Sequence, residues 1–182
     1  RPLLAATVLG AAALSLLFAG PALAQSAYPN KPITVVVSYP PGGDTDAIAR
    51  LKTGNAVFVA TPEAPLPVTA ARRTELAKGQ APFASVLSCA DSRVPPEVIF
   101  HQGLGDLFVV RAAGQVTDKS VIASLEYAAE HLHSPLIVVM GHESCGAVKA
   151  AMETPATTSL GVNLDYLLKA IRPSVAAVAG EA

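Results

Sequence analysis

Two short segments of the sequence carry side chains that could together hold a metal ion. The first, CADSR, spans residues 89–93, and the second, HESC, spans residues 142–145. Between them they supply Cys89, His142 and Cys145. Two thiolates and one imidazole are a ligand set suited to zinc, and three protein ligands leave a fourth position for water, as in catalytic zinc sites.

Asp91 and Arg93 follow the first cysteine at a spacing that can point both side chains the same way at the end of a strand. A carboxylate so placed could orient a water molecule at the metal, and the guanidinium could keep that carboxylate ionised. The same pair could equally be an exposed ion pair that contributes little.

The residues alone leave simpler interpretations open for the cysteines. A lone cysteine is most often a small buried apolar residue, and in an oxidising compartment the two thiols could form a disulfide. Gly141 and Gly146, which flank the HESC segment, favour a tight ligand loop over simple packing. His101, His131 and His133 have no partner at ligand spacing, so we expect them at the surface or at helix ends.

Three continuous apolar runs predict the strands that would bring these segments together. They cover residues 83–88, 107–110 and 136–140 and resemble strands buried on both faces. Residues 120–131 lie between the second and third runs and predict a helix with Val121, Leu125 and Ala128 on one face. The order predicts an α/β fold with a central parallel sheet flanked by helices, with both segments at its carboxyl edge.

Four further stretches of the chain complete the predicted elements. Residues 47–52 predict a helix that ends near Gly54 and Asn55, and three prolines make residues 61–68 an irregular connection. Residues 69–78 and 164–178 predict two more helices.

The composition excludes several classes of protein. The chain has 182 residues, of which 51% are hydrophobic, and its 13 basic residues nearly balance its 14 acidic ones. A chain so apolar is not a disordered tail, and its charge balance does not favour nucleic acid or an anionic membrane as a partner. We therefore expect a small-molecule ligand.

Residues 1–24 have the features of a secretory signal peptide. Arg1 precedes an Ala- and Leu-rich run, and Ala22-Leu23-Ala24 forms a small-residue cleavage site. We expect cleavage after Ala24, a periplasmic or secreted protein, and no membrane association once the signal is removed. Because the chain starts with Arg1, we expect its native N-terminus to lie upstream.

The stretch that follows the cleavage site, YPNKPITVVVSYPPGGDTDAIAR, resembles the mature N-terminus of solute-binding proteins of tripartite tricarboxylate transporters. The similarity covers about residues 26–50. It implies that the glycine turn at residues 42–45 helps to bind a small carboxylate, and it leaves a truncated binding protein as an alternative function.

Four later blocks resemble β-class carbonic anhydrases across about residues 47–178: VLSCADSRVPPE, QGLGDLFVVRAAG, SLEYAAEHL and PLIVVMGHESCGAV. The resemblance implies one zinc ion per chain and reversible hydration of CO₂ to bicarbonate. The zinc ligands of the family fall on Cys89, His142 and Cys145, and its Asp/Arg dyad falls on Asp91 and Arg93, with Asp91 also able to take the fourth zinc position.

The same resemblance implies a substrate cleft and an assembly. The substrate-binding positions fall on Gln80, Phe108 and Tyr127, which would meet near a subunit boundary in a homodimer or larger oligomer. Val86 stands where one subtype has a Trp that belongs to an inhibitory bicarbonate site, so we expect that regulation to be absent. Gln115 stands where the family usually has Asn.

The domain organisation expected from these resemblances has three parts. Residues 1–24 form the signal peptide, residues 25–50 the segment similar to the binding proteins, and residues 51–182 the anhydrase-like domain. The family adds a further parallel strand after the last helix, so we expect this domain to be truncated at its C-terminus. An inactive remnant that still holds zinc is therefore a second alternative.

Overall fold

In the computed structural model of the chain, residues 36–37 and 44–178 are described. The predicted signal peptide, almost all of the segment at residues 25–43 and the glycine turn at Gly42 and Gly43 lie outside the described residues. The helices and strands of the described part are, in chain order, β1 (Val36–Val37), α1 (Asp44–Ala60), α2 (Ala70–Leu76), β2 (Ala84–Cys89), α3 (Pro96–Ile99), β3 (Leu107–Ala112), a 3₁₀ turn (Ala113–Gln115), α4 (Lys119–Glu130), β4 (Ile137–Met140), α5 (Gly146–Glu153) and α6 (Val162–Val178).

The sheet confirms the predicted parallel architecture. Its strand order is β1-β4-β2-β3, and β2 runs parallel to both β3 and β4, whereas the short β1 pairs antiparallel with β4. In this register Ser88 of β2 lies opposite Met140 of β4. The chain therefore leaves both strands at the same level, and Cys89 and the HESC segment emerge at one edge of the sheet.

The burial of the strands follows their place in the sheet. All six residues of β2 are buried, as the continuous apolar pattern predicts for a central strand. The residues of β3 are only half-buried, and Val139 of β4 is exposed. Burial on both faces is therefore wrong as a prediction for β3, because this strand lies at one of the two edges of the described sheet.

Helix α4 forms where the pattern predicts it. Asp118 caps its N-terminus by accepting hydrogen bonds from the backbone N–H groups of Ser120 and Val121. Val121, Leu125 and Ala128 are buried, and the first two pack against Leu87 of the central strand. Helix α5 packs against α6 through a separate cluster that includes Ala151, Leu168 and Ile171.

Helix α1 departs from the prediction at its C-terminal end. It continues through Gly54 and Asn55 to Ala60, so the predicted end near Gly54 is wrong. The reason is a close approach to another element: a Cβ at Gly54 would lie 1.7 Å from Phe100 O, and Asn55 Nδ2 donates to Ile99 O at 3.1 Å. Gly54 lets the helix contact the backbone at residues 99–100 and does not terminate it.

The same helix crosses residue 50 without interruption and belongs to the core. Ala47 and Leu51 are buried in the main apolar cluster. Arg50 forms an ion pair with Asp106 at 2.8 Å, and its guanidinium lies 4.0 Å above the ring of Phe83. No helix in the described part of the chain is long and apolar enough to cross a membrane.

Candidate metal centre

The ends of β2 and β4 bring Cys89, His142 and Cys145 together, as the sequence predicts. One ligand atom from each of the three side chains lies within 4.8 Å of the other two. The two sulfur atoms are 3.8 Å apart. Two sulfurs each about 2.3 Å from a zinc ion at the tetrahedral angle are separated by nearly the same distance, roughly 3.8 Å. The spacing of the sulfurs therefore fits a shared metal ion.

The sulfurs are free thiols in this arrangement. A disulfide has an S–S length of about 2.05 Å, so 3.8 Å is far too long for that bond. Both cysteines are buried, and Cys145 sits immediately before the first residue of α5. Ser144, just ahead of it, has a φ of 53°, a left-handed conformation that turns the loop back toward the end of β2.

His142 is oriented by the backbone beside it. Its Nδ1 lies 2.9 Å from the carbonyl oxygen of Glu143, which fits donation of the Nδ1 hydrogen to that oxygen. Its Nε2 is buried and has no hydrogen-bond partner among the described residues. An imidazole fixed through one nitrogen, whose second nitrogen is buried without a hydrogen-bond partner close to two cysteines, is the arrangement expected of a metal ligand. The residues present therefore fit zinc.

Backbone N–H groups surround the first sulfur. Cys89 Sγ accepts hydrogen bonds from the N–H of Asp91 at 3.4 Å and from the N–H of Gly114 at 3.3 Å. Gly114 belongs to the 3₁₀ turn after β3 and has a φ of 62°. Donors directed at a sulfur fix its position as a metal ligand.

Asp91 and Arg93 form a close pair beside these ligands. Asp91 Oδ1 accepts from the backbone N–H and the Nε of Arg93, at 3.0 and 2.9 Å, and Oδ2 accepts from Arg93 Nη2 at 2.7 Å. The hydrogen bonds from Arg93 hold the pKa of Asp91 well below its usual range. Arg93 Nη2 also donates to Ser144 O, which links the loop after β2 to the loop after β4.

The carboxylate of Asp91 borders the metal centre without joining it. Its Oδ2 lies 3.9 Å from His142 Nε2. The group of mutually close ligand atoms contains the three predicted ligands and not Asp91. Coordination of zinc by Asp91 stays a prediction, as do the roles assigned to the dyad.

The three substrate-binding candidates lie away from the metal centre of their own chain. Phe108 is level with Ser85, four residues from Cys89 along the sheet, which is about 13 Å. Phe108 and Tyr127 are neighbours, with ring centroids 6.3 Å apart, and Tyr127 is exposed. Gln80 is exposed on the connection between α2 and β2, where it lines an open groove with Lys78 and Gly105.

The structure adds one residue that the sequence interpretation missed. Arg111, near the end of β3, donates from Nε to Cys89 O at 2.9 Å and from Nη2 to Asp91 O. The only signal in the sequence is a basic residue in an otherwise apolar strand, inside the block QGLGDLFVVRAAG.

Gln115 and the remaining histidines occupy turns. Gln115 has a φ of 44°, a conformation in which Asn is more common than Gln, and its Oε1 is buried without a hydrogen-bond partner in the described chain. His131 follows the last residue of α4, so its predicted place at a helix end is confirmed. His133 is exposed, as predicted, and His101 is half-buried in a turn.

Comparison with known proteins identifies one family. The family model described as carbonic anhydrase matches residues 84–182. Carbonic anhydrase 2 of Mycobacterium tuberculosis is 56% identical over 103 residues, which are 56% of this chain and 49% of that protein. The chain thus spans about half the length of the curated relatives that it matches.

Two solved structures resemble the fold. One of the tetrameric β-carbonic anhydrases of the fungus Sordaria macrospora has a TM-score of 0.54 at 30% identity, over 76% of this chain and 68% of the other. A β-carbonic anhydrase of Coccomyxa in complex with acetazolamide has a TM-score of 0.56 at 25% identity, over 78% and 61% of the two chains.

Proposed function

Because the chain belongs to the carbonic anhydrase family, we propose that it is a β-class, zinc-dependent enzyme that interconverts CO₂ and bicarbonate. The observation that carries the proposal is the convergence of Cys89, His142 and Cys145 at one edge of the sheet, with a sulfur spacing of 3.8 Å. The similarity to named carbonic anhydrases supports the choice of substrate.

In this proposal Cys89, His142 and Cys145 hold one zinc ion per chain. Zinc with an open fourth position supplies activation of water as a nucleophile near neutral pH. Asp91 then has the role of a hydrogen-bond acceptor at the border of the site. Arg93 fixes the direction of that acceptor and keeps it ionised, because it donates to both oxygens of the carboxylate. For Asp91 to become a fourth ligand, it would first have to give up hydrogen bonds to Arg93.

Self-association would supply the rest of the cleft. A single chain leaves Phe108 about 13 Å along the sheet from Cys89, beside the exposed ring of Tyr127. We assign these two side chains and Gln80 to a cleft completed between copies, in a homodimer or a larger assembly. The similar proteins of Sordaria macrospora are tetrameric.

Export is a separate proposal that depends on the N-terminal sequence. The basic residue, apolar run and Ala-x-Ala site of residues 1–24 support a signal peptide and a periplasmic or secreted location. The assignment of residues 25–50 as a segment similar to transporter-associated binding proteins stays a prediction. Expression of the full chain followed by N-terminal sequencing of the exported product tests the cleavage after Ala24.

Stopped-flow measurement of CO₂ hydration tests the proposed activity. We expect the full chain, stripped of metal and then given one equivalent of zinc, to hydrate CO₂ well above the buffer rate, and the stripped chain not to do so. Cys89→Ser should lose the activity. Ser88→Ala is the matched control, because the Ser88 hydroxyl is buried without a hydrogen-bond partner in the described structure and its removal should be tolerated.

Two results would contradict the proposal. Stoichiometric zinc without hydration, in a protein that is folded and associated, would indicate an inactive remnant. Binding of a small carboxylate by the metal-free chain, with no hydration when zinc is added, would favour a truncated binding protein.

A further inference from the structure

Arg111 connects β3 to the turn that carries both a zinc ligand and the acceptor carboxylate. In the β2–β3 register Arg111 lies opposite Ser88, and its guanidinium reaches past the end of β2 to the carbonyl oxygens of Cys89 and Asp91. These two carbonyls are one and three residues beyond Ser88. A single side chain therefore holds both ends of the turn at residues 89–91.

The geometry of this contact suits arginine alone among the basic residues. A guanidinium presents several N–H donors in a rigid plane, so Nε and Nη2 can serve two acceptors at once. A lysine ammonium at the same position is a compact donor on a flexible chain and cannot reproduce this pair of hydrogen bonds in a fixed geometry. None of the ion pairs found among the described residues involves Arg111, so its donors are directed at backbone carbonyls.

The turn that Arg111 holds determines where two reactive groups point. Within it, the N–H of Asp91 donates to Cys89 Sγ at 3.4 Å. Rotation of the peptide groups in this turn would thus move the sulfur and the carboxylate together. Arg93 binds the same carboxylate, but 53% of its side-chain surface is exposed, whereas Arg111 is half-buried beside the strand end.

We propose that Arg111 is a positioning residue of the metal centre, which holds the 89–91 turn so that Cys89 Sγ and the Asp91 carboxylate face the same site. The effect of Arg111 on zinc affinity requires only that Cys89, His142 and Cys145 bind the metal. Its effect on turnover rests on the proposed function.

Substitution at this position should leave the fold intact. Asp91 O also accepts from the N–H of Val94 at 3.1 Å, so that carbonyl keeps a partner when Arg111 is changed. Arg172 provides a matched control, because its Nη2 donates to Thr154 O at 2.9 Å, at the far end of α5 from Cys145. Arg172→Lys removes the same kind of contact at a distance from the metal centre.

The experiment compares the parent chain with Arg111→Gln, Arg111→Lys and Arg172→Lys. Zinc affinity is measured by competition with a chromogenic chelator, and the absorption spectrum of the cobalt-substituted protein reports the ligand geometry. Arg111→Gln should weaken zinc binding by about ten- to a hundredfold and change the cobalt spectrum. Arg111→Lys should recover part of the affinity, and Arg172→Lys should match the parent in both measurements.

Parental zinc affinity and an unchanged cobalt spectrum in Arg111→Gln would overturn the assignment. An equal loss of affinity in Arg172→Lys would also overturn it, because the effect would then be a general loss of stability. If Arg111→Gln does not fold, the same two measurements on Arg111→Lys decide the question. A parent chain that binds zinc and does not hydrate CO₂ would refute the proposed function, while the affinity comparison would still decide the role of Arg111.

Discussion

Replacement of Gly54 by alanine should destabilise the protein, although the same change in an exposed helix is normally favourable. In a helix interior, alanine is favoured over glycine by about 1 kcal/mol. Here the new Cβ would lie 1.7 Å from Phe100 O and 2.7 Å from Gln102 Nε2, and real Cβ atoms essentially never come within 3.0 Å of such atoms. Helix α1 would have to move away from the backbone that follows α3.

The size of the effect follows from the contacts that this movement breaks. The hydrogen bond from Asn55 Nδ2 to Ile99 O contributes about 1 kcal/mol. Loss of close packing around Leu51, which is 3% exposed, costs roughly 2 kcal/mol. After the gain in helix propensity, the net loss in free energy of unfolding is about 2 kcal/mol, or about 4–8 °C in the midpoint of thermal unfolding.

Thermal and urea unfolding of the metal-free full chain, followed by circular dichroism, measures this effect without a contribution from zinc binding. Gly146→Ala is the control, because Gly146 is the first residue of α5 and a Cβ there would meet nothing within 4 Å. The control should match or slightly exceed the stability of the parent. If Gly54→Ala is as stable as the parent, the close contact between α1 and Phe100 does not exist as described.

Three further predictions concern the metal centre and the N-cap of α4. Cys145→Ser should abolish stoichiometric zinc binding, because a neutral hydroxyl replaces a thiolate and leaves two good ligands; metal analysis after dialysis checks this. Asp91→Asn should retain zinc but lose hydration activity by about a hundredfold, as measured by stopped flow; loss of the metal would instead make Asp91 a required ligand. The hydrogen bond from the Ser120 hydroxyl, with those from the backbone N–H groups of α4, lowers the pKa of Asp118 below its usual value. The ionised carboxylate therefore stabilises the fold above about pH 4, the usual pKa of Asp. This stabilisation is lost as the pH falls through the lower pKa of the folded state. The thermal midpoint of Asp118→Asn should therefore lie below that of the parent at pH 6 and approach it at low pH, and a difference that does not change with pH would contradict the assigned cap.

The sequence is sufficient to predict the candidate metal centre because its ligands lie at the end of one strand and just after another. Continuous apolar runs locate β2 and β4, and parallel strands with crossover connections present their carboxyl ends at one edge. Cys89 and the HESC segment had to meet there. The structure confirms that proximity, with a sulfur spacing that a one-dimensional pattern cannot supply.

Other features depend on contacts between residues far apart in the chain. Gly54 has the local signature of a helix end, and only the backbone at Phe100, 46 residues later, shows why glycine is needed inside α1. Arg111 reaches Cys89 O across 22 residues, and nothing in its own strand indicates that contact. The incomplete burial of β3 likewise follows from its place at an edge of the sheet, which the apolar run alone does not reveal.

X-ray absorption at the zinc K-edge, on full chain loaded with one zinc ion, tests the central claim most directly. We expect two sulfur neighbours at about 2.3 Å and one nitrogen neighbour at about 2.0–2.1 Å, with a fourth, lighter ligand. The Cys89→Ser variant, which is left with two good ligands, should retain no stoichiometric zinc after dialysis. A parent spectrum with only oxygen and nitrogen neighbours, or a chain that takes up no stoichiometric zinc, would contradict the assignment of Cys89, His142 and Cys145.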